Sequence, residues 1–350
     1  MSLITDTIIH YTNPLFLSRQ YSDQDTEKID WRFLFKEIYQ NNVDSIFLEN
    51  FITDNPRVNR NIPAYSKISA WSSEQHRKYL TTIKHLTDIL RLHRVKYVIF
   101  KSLSPYKNIK DDIDVWVRDK KDFHRILRIL NVKEATVSQQ YPFAVHIDKP
   151  DFTQIDLHPM ITWNTIGKSG AGPTLLDLND VWKRKTERDY YGMCVTAPSW
   201  EDEILILNAH AIFQHHYLTL GEIILIGEII RNKTVDFRYI FKTAESYEWV
   251  HLLKRNFVLI KSFYKQFWNI ELTIPSVSLV HIHKRLTYDM NLWDIMKSLF
   301  PSRQKDFRGF RQFIIGCLVV CYRQIYYRSI LNELPFNVVP KDIQIIVHDM

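Results

Sequence analysis

The sequence predicts an α+β protein, a small mixed β-sheet with helical modules before and after it. Three observations carry this reading. Residues 95–157 contain short apolar and β-branched runs separated by turn-forming clusters, the pattern of strands. The segments before residue 93 space their apolar residues as helices do, and beyond residue 199 the chain is helical again and richly apolar. With 350 residues, 45% of them hydrophobic and 24% charged, the chain can bury a substantial core and is not composed like a disordered one.

Taken in order, the run from Asp30-Trp31 to Ile38-Tyr39 carries apolar residues at helical spacing, and a second helical segment over 43–51 follows the break at Asn41-Asn42. A polar connection containing proline spans residues 54–69. Ser72 with Gln75 then has the form of a capping box, so a helix is expected to start there. Its apolar stripe is Leu80, Ile83, Leu86, Ile89 and Leu90, and it ends near His93. Residues 95–100 read as a strand, 101–111 as a polar loop, 112–117 as a second strand and 120–130 as a helix. Ala144-Val145-His146-Ile147 and residues 152–157 flank Asp148-Lys149-Pro150-Asp151, a strong turn signal, and form a predicted hairpin. The expected units are a helical segment over 1–71, the sheet core over 72–160, a connecting loop and strand over 161–198, and a helical, basic unit over 199–350.

That last unit opens with Ser199 and the acids Glu201, Asp202 and Glu203, which suit a helix N-terminus. Residues 204–230 are almost continuously apolar, broken by His210, His215 and His216. These three, and His281-x-His283, read as core or surface histidines because nothing in the spacing makes them converge. Helical patterns follow over 236–247, 249–267, 288–300 and 303–331.

All eight glycines lie at Gly167 or later, which excludes a glycine-rich phosphate loop from the first 166 residues. Gly167-Lys168-Ser169-Gly170 is tempting, but Thr162 stands where a P-loop needs its first glycine, so the segment reads as a flexible connection. Residues 231–330 hold 17 Lys+Arg against 7 Asp+Glu, a balance of +10 within a chain of net charge +7. A basic C-terminal third suits a polyanionic partner such as RNA or tRNA. Its aromatic residues Phe307, Phe310, Tyr322, Tyr326 and Tyr327 are candidates for stacking on bases. The three cysteines (Cys194, Cys317, Cys321) are an odd count that points to a reducing cytoplasm. The longest apolar run, residues 313–322, is about half a membrane span and is expected to be a buried helix.

Chemistry concentrates at Asp112-Ile113-Asp114-Val115-Trp116. Side chains alternate faces along a strand, so Asp112 and Asp114 share one, about 7 Å apart. Ile113, Val115 and Val117 make the opposite, buried face. Asp156 sits alike between Ile155 and Leu157, with Gln154 and His158 on its own face. Acids gathered in this way call for cations between them, and divalent metal with phosphoryl or nucleotidyl transfer is the chemistry they suit.

Here the chain resembles the nucleotidyltransferase superfamily of the polymerase-beta type, and most of all an uncharacterised nucleotidyltransferase-like family of bacteria and archaea. The family's Leu-Lys-Gly strand end corresponds to Phe100-Lys101-Ser102, its Ser-Asp-Ile-Asp-Leu-Leu-Val to residues 111–117, and its Val-Asp-Leu-His to Ile155-Asp156-Leu157-His158. Ile29-Asp30-Trp31, the segment from Ser199 to His210, Gly227-Glu228-Ile229-Ile230 and Val235-Asp236-Phe237 extend the likeness. The resemblance implies a metal-dependent enzyme that moves an NMP from an NTP to an acceptor hydroxyl on RNA or tRNA, a protein or a small molecule. It implies Mg²⁺ or Mn²⁺ on Asp112, Asp114 and Asp156 and phosphate contacts from Lys101, Ser102, Ser104 and Lys110; His158, because it shares a strand face with Asp156, is a candidate for a supporting place behind the acids. Three departures stand out: Ser102 replaces the loop glycine, no arginine precedes the Asp pair though Lys107 or Lys110 can substitute, and Asp111 replaces the usual serine. They leave two alternatives, a fold retained as a non-catalytic scaffold and a toxin-like tRNA-modifying nucleotidyltransferase.

Overall fold

The computed structural model describes residues 3–14, 29–41, 43–55, 63–105, 112–130, 136–141, 144–161, 175–215, 217–282 and 287–289. The glycine-bearing connection at 167–173, Lys107, Lys110, Asp111, His216, His283, Cys317, Cys321, the C-terminal aromatics and the helix expected over 303–331 lie outside these residues.

Four helices lead into the sheet: α1 (Leu3–Tyr11), α2 (Trp31–Gln40), α3 (Asp44–Asp54) and α4 (Pro63–Leu92). Asp30 caps α2 by accepting the Phe33 amide, as an N-cap aspartate should. The long helix α4 starts nine residues before the expected Ser72 cap. Ser72 is a buried interior residue of that helix, and Pro63 takes the first-turn position where a missing N–H costs nothing.

The sheet consists of β1 (Val98–Phe100), β2 (Asp112–Trp116), β3 (Thr136–Tyr141), β4 (Ala144–Asp148) and β5 (Gln154–His158), in spatial order β1-β2-β5-β4-β3. Helix α5 (Lys120–Leu130) follows β2. Only the β2·β5 pair is parallel; β1·β2, β4·β5 and β3·β4 are antiparallel. The predicted hairpin is β4·β5, and β3, which no sequence signal had marked, pairs on its outer side.

Alternation decides which core each strand residue joins. Ile99, Ile113, Val115, Val117, Val145, Ile147, Ile155 and Leu157 pack in one cluster with Tyr79, Ile83, Leu86 and Leu90 of α4 and Phe123 and Ile126 of α5. The opposite face contributes Val98, Phe100 and Trp116 to a second cluster shared with the N-terminal and C-terminal helices. The acids therefore point toward the helical modules, away from α4 and α5.

After the sheet come α6 (Leu178–Arg184), a hairpin of β6 (Thr186–Tyr190) and β7 (Met193–Ala197), and α7 (Trp200–His210). Where one long helical region was expected over 204–230, α7 passes into a π-helical turn at Ala211–His215 and then into β8 (Tyr217–Thr219) before α8 (Leu220–Asn232) begins. A capping box at Thr219 and Glu222 restarts the helix. Helices α9 (Phe237–Ser246) and α10 (Val250–Trp268) complete the unit. Tyr288, expected to open a helix, lies instead in β9 (Thr287–Asp289), which pairs antiparallel with β8. Among the described residues no helix is long and apolar enough to cross a membrane.

Candidate active site

Parallel pairing sets Asp114 beside Asp156 in direct register, with Asp112 beside Gln154 and Trp116 beside His158. Asp114 and Asp156 are 4% and 6% exposed, so two acids are buried next to each other on one sheet face. Burial alone would protonate one of them. Burial does oppose the charge of Asp114, but the Lys101 ammonium and the His158 ring outweigh it and hold the carboxyl well below the usual carboxylate range. Lys101 Nζ lies 3.0 Å from Oδ2 of Asp114, and His158 Nε2 lies 2.9 Å from Oδ1. Burial likewise works against the Lys101 charge, yet Asp114, Asp112 and Asp156 together keep its pKa above that of an ordinary lysine. One ammonium thus answers three carboxylates.

Asp156 is held differently. Its Oδ1 is 2.5 Å from His146 Nδ1 and accepts the Gln154 amide at 2.7 Å. His146 faces Asp156 across the β4·β5 pair. Ligand atoms of Asp114, Asp156 and His158 all lie within 4.8 Å of one another, a donor set of carboxylate oxygens and an imidazole that suits a divalent cation. Asp112 shares the strand face but stands outside that closest group.

The bend after β1 delivers Lys101. Its backbone is left-handed, φ 58°, which costs a non-glycine residue on the order of 1 kcal/mol and is held by the surroundings. The Lys101 amide donates to Oε1 of the buried Glu203 at 2.8 Å. Ser102, at the family's glycine position, has no positive φ, so its side chain meets no backbone penalty. Its hydroxyl donates to the Phe100 carbonyl at 2.9 Å and accepts the Asp114 amide at 3.0 Å, while its carbonyl accepts the Tyr79 hydroxyl. Ser102 therefore faces inward and splints β1 to β2. Ser104 is buried too, and its Oγ has no hydrogen-bond partner among the described residues.

Glu203 depends on how firmly α7 is seated. The neighbouring Asp202 is completely buried and fully engaged: Ser199 Oγ donates at 2.7 Å, the Tyr239 hydroxyl at 2.8 Å and Arg184 Nε at 3.2 Å. Burial pushes the Glu203 carboxyl up to about 6 against the pull of Arg188 and the Lys101 amide. From the same side, a cavity of about 360 Å³ opens beside the bend, lined by Leu103, Ser104, Arg188, Tyr190, Trp200 and Lys233 among others. Arg188 is 9% exposed, with its guanidinium 3.4 Å above the Trp200 ring. One nitrogen donates to the Pro198 carbonyl, while Nε and Nη1, with the Tyr190 hydroxyl, are buried without a hydrogen-bond partner among the described residues.

The structure thus brings together Asp114, Asp156, His158 and Lys101, sets Asp112 beside them, and turns Ser102 inward; Lys110 lies outside the described residues. His146, Glu203, Tyr79 and Arg188 were not singled out from the sequence. Two of them left a trace there: His146 as the polar residue between Val145 and Ile147, and Glu203 as one of the acids at the helix N-terminus.

A family model described as uncharacterised nucleotidyltransferase matches residues 27–265. No curated protein matches the chain. Among solved structures, the lincosamide antibiotic adenylyltransferase LnuA in its lincomycin-bound form is 14% identical, with a TM-score of 0.29 over 36% of this chain and 83% of that one. The antibiotic-resistance factor ANT(2'')-Ia is 13% identical, with a TM-score of 0.27 over 54% of this chain and 94% of that one. With the family match running through the sheet, its acids and the helices behind them, the chain belongs to the family of uncharacterised nucleotidyltransferases and is a nucleotidyltransferase.

Proposed function

We propose that the enzyme transfers a nucleoside monophosphate from an NTP, ATP among the candidates, to an acceptor hydroxyl with Mg²⁺ or Mn²⁺ held by Asp112, Asp114 and Asp156. The observation that carries this reading is the direct register of Asp114 with Asp156, with the Lys101 ammonium paired to Asp114. A buried cluster that already gathers positive charge is suited to a metal and a triphosphate. When bound, a divalent ion neutralises charge on the triphosphate and on departing pyrophosphate.

The chain's own residues supply the remaining work. Lys101 exchanges its contact with Asp114 for a phosphate oxygen, acting as a point charge on a flexible stem. Ser104, Arg188 and Lys233 line the cavity at the end of the bend and receive the outer phosphates there; Lys110, outside the described residues, is a further phosphate ligand in this proposal. Ser102 acts through its backbone and by holding β2 in place. Asp156, oriented by His146 and Gln154, accepts the proton of the acceptor hydroxyl. The acceptor oxygen then bonds to the α-phosphorus, the bond to the β-phosphate oxygen breaks, and pyrophosphate leaves. His158 fixes one oxygen of Asp114 so that the other stays aimed at the substrate side.

For the acceptor, the basic C-terminal third favours RNA or tRNA in a reducing, cytoplasmic setting. The test is incubation with the four α-labelled NTPs, Mg²⁺ and total cellular RNA, followed by resolution of RNA, protein and small molecules. Label in RNA that vanishes with Asp114→Asn supports the proposal. Label confined to protein or small molecules overturns the RNA acceptor and keeps nucleotidyl transfer, and label that persists in Asp114→Asn overturns the proposed site.

A further inference from the structure

The π-helical turn after α7 has a consequence away from the acids. At 3.6 residues per turn, residues five apart on an α-helix point about 140° from each other. The wider π turn at Ala211–His215 brings a residue five positions on back over the one before the turn. His210 and His215 consequently meet, their ring centroids 4.2 Å apart. Both rings turn toward one carboxylate oxygen: His210 Nδ1 and His215 Nδ1 each lie 3.8 Å from Oε1 of Glu222.

That carboxylate is fixed from behind. Its other oxygen, Oε2, accepts the Thr219 amide at 2.8 Å and the Thr219 hydroxyl at 3.0 Å, the reciprocal half of the capping box that starts α8. His215 is steadied by stacking on Tyr217, at 5.4 Å between centroids and 25° between planes. A separation of 3.8 Å is too long for a hydrogen bond from imidazole to carboxylate. It is close to the spacing of two ligands around one small cation, since metal bonds of about 2.0–2.2 Å put neighbouring tetrahedral ligand atoms about 3.4 Å apart. All three ligand atoms lie within 4.8 Å of one another, so small rotations of two partly exposed imidazoles close the shell.

We propose that His210, His215 and Glu222 form a second metal site, separate from the nucleotidyl-transfer acids, for a first-row divalent ion of the Zn²⁺ class. Two imidazoles and a carboxylate suit such an ion better than Mg²⁺, which favours oxygen. In this proposal a water takes the fourth position, on the side of His215, whose side chain is 34% exposed. The ion ties the π turn to the first turn of α8. It thereby steadies the C-terminal end of α7, the helix whose other end presents Glu203 to the Lys101 amide.

The test uses the full chain stripped with chelator and loaded with Co²⁺, whose visible absorption reports tetrahedral nitrogen and oxygen ligation. Wild type and Asp114→Asn are expected to show the same absorption, and His210→Ala and His215→Ala to lose it. Zn²⁺ affinity, read by competition with a chromophoric chelator, should fall in those two variants by more than the about 10–100-fold that loss of an outer partner costs. His215→Cys guards against a variant that merely fails to fold. It should keep Co²⁺ and add a thiolate-to-cobalt charge-transfer band in the near ultraviolet. Absorption that survives in His215→Ala, that is lost in Asp114→Asn, or that never develops in wild type overturns the site.

Discussion

Lys101 and the buried Asp114 form a largely enclosed ion pair, 3.0 Å from ammonium to carboxylate, whose lysine stands on a left-handed backbone and whose aspartate is fixed by parallel pairing to Asp156. The pair joins the two halves of the site, the bend that meets phosphate and the acids that meet metal. Several expected outcomes follow from how each partner is held.

Lys101→Met removes the cation and leaves the Asp114 carboxylate with His158 as its side-chain partner among the described residues. Breaking one side of a buried pair costs about 3 kcal/mol or more, so urea midpoints at pH 7 should fall accordingly. The sign with pH follows from the depressed Asp114 carboxyl. Its contribution is present above the unfolded pKa and is lost as pH falls through the lower folded one. The gap between wild type and variant therefore narrows in acid. Mg²⁺ should also raise the melting temperature more in this variant than in wild type. An equal Mg²⁺ effect in both proteins would show that the ion does not share the place of Lys101.

Glu203 reverses the sign. Its folded pKa of about 6 exceeds the ordinary glutamate value of 4.5, so it favours folding in acid and costs stability as pH rises through 6. Glu203→Gln keeps an acceptor for the Lys101 amide and removes the charge. At pH 8 the variant should be more stable than wild type by at most about 2 kcal/mol, the span of that shift. The advantage should vanish near pH 4.5. Thermal melts across pH 4–8 decide this, and a constant offset at every pH would contradict the buried, poorly compensated carboxylate.

Gly227 tests the packing behind the site. A Cβ at this position of α8 would press into the Tyr264 ring from α10. Tyr264 cannot move away freely because its hydroxyl donates to the Ile224 carbonyl at 3.1 Å and to Glu228 at 3.3 Å. Gly227→Ala should destabilise by about 1–3 kcal/mol, as overpacking does, with chemical denaturation as the measurement. A change within about 0.5 kcal/mol would mean that the two helices are not pressed together there.

Arg188→Lys separates the cavity from the acids. Lysine keeps a charge but cannot reproduce the flat stacking on Trp200 or the forked donors. The Michaelis constant for NTP should rise about tenfold or more, with a smaller change in turnover, if the cavity holds outer phosphates. Steady-state kinetics with varied NTP gives both values, and an unchanged Michaelis constant removes Arg188 from the phosphate site.

What could be foreseen from the amino acids follows physical range. The acid-bearing strands were legible because alternation with period two is local: Ile113 and Val115 announce a buried face, and Asp112 and Asp114 the other. The Lys101-Ser102 bend was legible as a position but not as a conformation, since the left-handed residue proves to be Lys101 and the replacement at Ser102 meets no strain. His146, Glu203 and Arg188 reach the site through strand pairing, a helix from the next unit and a separate hairpin, so nothing near them in the chain marks their roles. Ser72 misled because a serine followed by glutamine three residues on looks the same inside a helix as at its start. The π turn after His210 went unseen because an apolar stretch reads alike through α-helix, π turn and strand, and the meeting of His210 with His215 depends on that turn alone.

The most direct test of the central claim is single-turnover transfer from an α-labelled NTP in the presence of Mg²⁺, compared among wild type, Asp114→Asn and Asp156→Asn, each checked for folding by circular dichroism. Each substitution is expected to lower transfer by about 10³-fold or more, the scale of losing a preorganised electrostatic group, while leaving the helical signal intact. Transfer within about tenfold of wild type in either folded variant would contradict the assignment of the Asp114–Asp156 register as the reacting centre.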